Sequence, residues 1–263
     1  MVLRFSILAV AFLLSCTSIE RDSVCDEKSV KYNGCVGGVL PSSSGTVSSS
    51  SSWSIVYGDS VTYQGETYKT VVIGTQTWMA RNLNYAAPGS KCGGRDFKLK
   101  DENTEICNTY GRLYNWATAM ALPADCNNNS CASQVSKKHR GICPAGWHIS
   151  SDEDWSVLMK FINSRCSDNS NCGGAGTELK ATIGWQSSSV VPFGSDTYGF
   201  SALPGGKGDP EGGSNVGDHG YWWTASETGS DFAYHWIILS YDEGVVVQSG
   251  AKDFLYSVRC LQD

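Results

Sequence analysis

The chain has 263 residues, a formal net charge of −6 and only 17% charged residues, so one large domain or two small ones with a sizeable core can form. Lysine and arginine nowhere gather into a stripe, which excludes the usual nucleic-acid-binding surface. Eleven cysteines without one CxxC pair exclude a zinc ribbon and point to disulfides in an oxidising compartment.

Residues 1–15 have a basic start at Arg4 and an apolar run of signal-peptide length, too short for a permanent membrane span. The end of that run, LLSC, resembles the bacterial lipobox, which implies acylation of Cys16 and a lipid-anchored segment over 16–40. Thr17, in place of Asp, implies sorting to the outer membrane by the same resemblance; ordinary secretion is the alternative. Cys25 and Cys35 are expected to close a small loop beside the anchor. Residues 41–53 are serine-rich, a composition that cannot bury enough apolar area to order itself, so they read as a flexible linker. The folded head is expected over 54–263.

Within the head, VTY at 61–63 and YKTVVI at 68–73 flank a turn at Gln64-Gly65-Glu66, and Gly74-Thr75 breaks before QTWMA at 76–80. This reads as a meander of short antiparallel strands. Apolar residues at 110, 113, 114, 117 and 120 predict an amphipathic helix over 110–120, ended by Pro123. Ser150 and Glu153 form an S-x-x-E capping box ahead of a second helix carrying Trp155, Leu158, Met159, Phe161 and Ile162. Strand-like runs return at 233–239, 245–248 and 256–260. Helices confined to the middle of the chain argue for an α+β fold.

Cys92 with Cys107, Cys126 with Cys131, and Cys166 with Cys172 are the preferred local pairs, although sequence alone leaves the connectivity open. A Cys92–Cys107 bridge would stabilise by about 3 kcal/mol on the chain-entropy model.

The nine tryptophans and twelve tyrosines imply an aromatic core, a carbohydrate-facing surface, or both. The segment 198–227 stands out, because a glycine-rich acidic loop runs between an apolar start and Tyr221-Trp222-Trp223. Strand alternation puts Tyr221 and Trp223 on one face and Trp222 on the other, so at least one face is core. Asp209, Glu211, Asn215, Asp218, His219 and Trp222 are the candidate ligand-binding residues: carboxylates, an amide and an imidazole for hydroxyls, an indole for a sugar ring. Gly205-Gly206-Lys207-Gly208 lacks the spacing of a P-loop and reads as a turn. His139, His148, His219 and His235 are scattered, with no HExxH or nucleophile-elbow motif, and His148 reads as a hydrogen-bonded structural residue. No catalytic residue is assigned.

Six strings taken in order are familiar: VIGTQTWMARNLN at 72–84, YGRLYNW at 110–116, CPAGWH at 143–148, GFSALPGG at 199–206, GYWWTASE at 220–227 and SVRC at 257–260. Together they resemble the Fibrobacter succinogenes major paralogous domain, a family of envelope proteins with serine-rich linkers. The resemblance implies a C-type-lectin-like fold, shared with formylglycine-generating enzymes. In that fold two helices pack on short antiparallel strands, terminal strands pair, and a Cys143–Cys260 bridge joins the ends of the core. Such a bridge would be worth about 4–5 kcal/mol.

The late cysteine pair of the formylglycine-generating enzymes is absent, since only Cys260 follows Cys172. The oxygen-rich loop would suit calcium, but the lectins' Glu-Pro-Asn signature is missing, so neither metal nor cofactor is expected. The expectation is a non-catalytic surface protein for binding or adhesion, directed at plant polysaccharide. An envelope protein partner is the alternative, and the membrane itself is met through the lipid anchor.

Overall fold

The computed structural model describes residues 54–93, 98–100, 105–166, 172–187, 193–209 and 212–263, all within the compact unit Ser51–Asp263. The expected signal peptide, Cys16, the expected Cys25–Cys35 loop, the serine-rich segment and Glu211 lie outside the described residues.

The chain opens on the expected meander: β1 (Tyr57–Tyr63), β2 (Glu66–Ile73) and β3 (Gln76–Met79) pair antiparallel. The β1–β2 turn has both central residues left-handed, Gln64 at φ 51° and Gly65 at φ 81°. That twist matches the strands it joins. The C-terminal strand β10 (Cys260–Gln262) inserts between β3 and β4 (Trp147–Ile149), giving a five-stranded sheet ordered β1-β2-β3-β10-β4. Early and late segments therefore share one sheet.

The helix expected over 110–120 is not continuous. A short α1 (Glu105–Tyr110) stops at Gly111, with φ +80°, and α2 (Trp116–Ala119) restarts after Asn115, whose side chain caps Thr118 N at 2.8 Å. Between them Leu113 exchanges backbone hydrogen bonds with Lys91, and Tyr114 with Tyr256. Tertiary pairing overrides the helical period, and Gly111 permits the kink because a Cβ there would lie 2.7 Å from the Asn82 Cβ.

The second expected helix forms as α3 (Asp152–Ile162), but its cap sits one residue later than Ser150. Ser151 Oγ accepts from Asp154 N at 3.1 Å, and the Asp154 carboxylate accepts from Ser151 N at 2.8 Å. Ser150 is drawn into the core behind β4, where its hydroxyl accepts from Trp155 Nε1 at 3.0 Å. Among the described residues only α3 is a long helix; α4 (Ala175–Leu179) is a single turn or so. The expected pair of packed helices is thus one helix and several short turns.

A hairpin, β5 (Lys207–Asp209) with β6 (Gly212–Ser214), precedes a three-stranded antiparallel sheet of β7 (His219–Glu227), β8 (Phe232–Leu239) and β9 (Val245–Ala251). Each face of this sheet meets its own core. Trp222, Trp236, Ile238 and Val245 join Trp78, Trp155, Leu158 and Phe200 on one side. On the other, Trp223 and Ala233 join Tyr114, Trp116 and Tyr256, with Tyr221 packed alongside.

Indole rings are packed closely in the first core, where Trp155 stacks on Trp236 at 5.6 Å and 12°. A buried indole N–H needs an acceptor, and Trp116, Trp155, Trp185, Trp222, Trp223 and Trp236 all have one. Four disulfides close the described head: Cys92–Cys107, Cys126–Cys131, Cys143–Cys260 and Cys166–Cys172. These are the expected pairings.

Candidate functional site

Strand alternation on the second face of the β7–β9 sheet leaves part of it open as a cleft of about 480 Å³. β7 contributes His219 and Tyr221, β8 contributes His235, Ile237 and Leu239, and β9 contributes Val246, Gln248 and Gly250. Lys207 enters from β5, Tyr241 from the β8–β9 turn, and Phe254 and Tyr256 from the segment before β10.

The floor is a ladder of rings. His219 stacks on Tyr221 at 5.7 Å and 7°, and Tyr221 on Tyr256 at 5.1 Å and 12°. His235 leans on Tyr256 at 4.6 Å, while Trp223 supports Tyr256 from beneath at 4.3 Å. At the rim, half-exposed Tyr241 meets His219 edge-on, its hydroxyl 3.5 Å from Nε2. Rings that stack on each other offer edges and hydroxyls to the cleft more than free faces. Gly250 makes the floor possible, because a Cβ there would stand 2.8 Å from His235 Nδ1 and 3.0 Å from the Tyr256 hydroxyl.

Burial holds the His219 pKa below its ordinary value despite Asp218, and Lys207 adds to the fall. Burial and then Lys207 push His235 down to about 4. Both imidazoles are neutral at pH 7, able to donate through one nitrogen and accept through the other. Burial raises Tyr221 to about 12, so its hydroxyl keeps its proton.

The loop residues singled out from sequence are dispersed by the fold. His219 lines the cleft; Asp218 stands behind it, with Oδ2 3.0 Å from His219 Nδ1 and Oδ1 accepting from the Ser240 hydroxyl. Asp209 closes the β5–β6 turn by accepting from Gly212 N at 3.1 Å. Asn215 is a turn residue at φ 66°, its carbonyl accepting from the Asp218 and His219 amides. Trp222 is corrected from surface to core: fully buried, it donates Nε1–H to Asn82 Oδ1 at 2.7 Å.

Lys207, His235, Gln248, Tyr241, Phe254 and Tyr256 were missed as site residues. The strand-like runs at 233–239 and 245–248 were the sequence signal available for His235 and Gln248. The register that sets them opposite Trp223 and each other is a tertiary fact.

Elsewhere, His148 is structural, as expected: Nδ1 lies 2.8 Å from Asp263 Oδ1 and Nε2 3.5 Å from Asp154 Oδ2. Among the described residues no three His, Cys, Asp or Glu side chains group as metal ligands, and no helix is long and apolar enough to cross a membrane.

A family model described as the Fibrobacter succinogenes major domain matches residues 71–262. The chain belongs to this family. No curated protein and no solved structure matches it.

In this Fibrobacter succinogenes major domain the six sequence strings converge on one buried node. Asn82 Oδ1 accepts from Arg259 Nη2 at 2.8 Å and from Trp222 Nε1, while its amide donates to the Tyr110 carbonyl at 2.8 Å. Arg259 also donates to the carbonyls of Met79 and Phe200 and lies over the Phe200 ring at 4.3 Å. Cys143 bonds the neighbouring Cys260. Burial pulls the Arg259 pKa down to about 9. The strings that identify the family mainly build its core; of them only GYWWTASE also reaches the cleft, through Tyr221.

Proposed function

We propose that the protein is a non-catalytic, lipid-anchored binding protein of the outer membrane, whose C-type-lectin-like head recognises polysaccharide, plant glycans among them. The anchor reading rests on the apolar start, Cys16 and the serine linker. The lectin-like reading is supported by antiparallel sheets, the shared sheet of β1–β3 with β10, and the Cys143–Cys260 bridge.

The observation that carries the binding reading is the aromatic cleft on β7–β9. Its mixture of ring edges, tyrosine hydroxyls and neutral imidazoles matches the alternating C–H and hydroxyl surface of a sugar. The site is thus moved from the acidic loop onto the sheet, with His219 retained from the candidate residues.

The test is retention on insoluble cellulose beside a glycan array, comparing wild type with Tyr241→Ala. Tyr241 is 55% exposed, so its loss leaves the core intact. Selective glycan retention that weakens in the variant supports the reading; retention on no glycan refutes it. In that outcome a protein partner becomes the better reading. It is favoured by β1, an edge strand that carries exposed Tyr57. Anchoring is tested by fatty-acid labelling, which is expected on wild type and lost in Cys16→Ala.

A further inference from the structure

In a chain of net charge −6, no carboxylate among the described residues lines the β7–β9 cleft. Lys207 is the charged side chain that does. Its ammonium lies 4.7 Å from the centre of the Phe254 ring. Asp209 Oδ2 stands 3.8 Å away, too far to accept a hydrogen bond, and is itself occupied with the β5–β6 turn. The 3.8 Å contact is therefore a loose ion pair, and Asp218 is turned to His219 and Ser240 instead.

A partly buried ammonium on an aromatic wall gains most from a ligand that brings its own negative charge. A second group points the same way into the floor. His235 is 3% exposed, and beyond a weak interaction of the ring with the Ala233 backbone its Nδ1 has no hydrogen-bond partner among the described residues. That nitrogen lies beside the Tyr256 hydroxyl over the bare backbone of Gly250.

We propose that the cleft takes a pyranose carrying a carboxylate, the repeating unit of a uronate polysaccharide. The carboxylate pairs with Lys207, and ring hydroxyls meet His235 Nδ1 and the tyrosine hydroxyls. The inference rests on the binding reading above and names its ligand class. A neutral sugar of the same shape leaves the Lys207 ammonium desolvated with only the loose Asp209 contact as counter-charge, which is discrimination by an under-met group. A bare small anion meets Lys207 but leaves the aromatic floor and His235 unused.

Titration calorimetry of the full chain at low salt, with an oligogalacturonate trimer and a cello-oligosaccharide of equal length, tests the assignment. The uronate is expected to bind about ten- to a hundredfold more tightly, the range of one charge-assisted contact. Lys207→Met keeps the apolar stem over Phe254 and is expected to abolish that preference while melting like wild type. Tyr241→Ala is expected to weaken both sugars and keep their ratio.

Equal affinity for the two sugars, or a uronate preference that survives Lys207→Met, overturns the acidic-ligand assignment while the binding reading stands. Inorganic phosphate binding as tightly as the uronate overturns it too, because the sugar then contributes nothing. Failure of wild type to bind any sugar removes both readings together.

Discussion

Asn82 is the side chain on which the rest of the core turns. It satisfies two donors of Arg259 and the indole of Trp222 through one oxygen. Asn82→Ala leaves a fully buried guanidinium with backbone carbonyls alone. A loss of about 3 kcal/mol or more in urea unfolding is expected, because the cost is an unmatched charge and not merely a missing bond.

His148 supplies a second test at this scale. Burial disfavours its charged form, but hydrogen bonds with Asp154 and Asp263 outweigh this and raise its pKa above 6.5. Its contribution to stability is complete below that ordinary value and is lost as pH rises through the raised one. Asp154 works in the opposite sense: burial opposes its charge, yet His148 and Ser151 lower its pKa. Its contribution is present above the ordinary value and lost as pH falls through the lowered one. Unfolding measured from pH 5 to 9 should show an alkaline decline that His148→Gln flattens, and the imidazole should titrate above 6.5 by NMR.

At the level of elements, α3 shows how a pattern can be right in kind and wrong in register. Ser150 with Glu153 and Ser151 with Asp154 both satisfy the spacing of a capping box. What separates them is that β4 pairs with β10 and carries Ser150 inward, which no local pattern contains. Ser151→Ala should cost about 1 kcal/mol, while Glu153→Ala stays within about 0.5 kcal/mol. Thermal unfolding of the two variants side by side checks the assignment.

The broken helix at 110–120 fails for the related reason that burial of Leu113 and Tyr114 mimics helical periodicity while their backbones pair with distant strands. The meander of β1–β3 and the strands β8 and β9 were legible because each is set by neighbours in sequence. The cleft was not, since its residues come from β5, β7, β8, β9 and the segment before β10. Of the acidic candidates, Asp209 ends β5 and Asp218 backs His219, so neither faces the cleft.

For the molecule as a whole, the two cores are held on opposite faces of one sheet, and covalent closure spans both. Loops of 117 and 5 residues are closed by Cys143–Cys260 and Cys126–Cys131. On the chain-entropy model their removal costs about 5 and about 2 kcal/mol respectively. Chemical denaturation of the Cys143→Ser/Cys260→Ser and Cys126→Ser/Cys131→Ser double variants should preserve that order.

The Cys143–Cys260 bridge also decides what a protease can accomplish. It makes a covalent ring of everything from α3 to β9, including the whole cleft-bearing sheet. A single cut anywhere inside that ring opens it without releasing a fragment. A nicked head therefore migrates as one piece until a reductant is added, and the cleft can outlast damage to the surface loops around it.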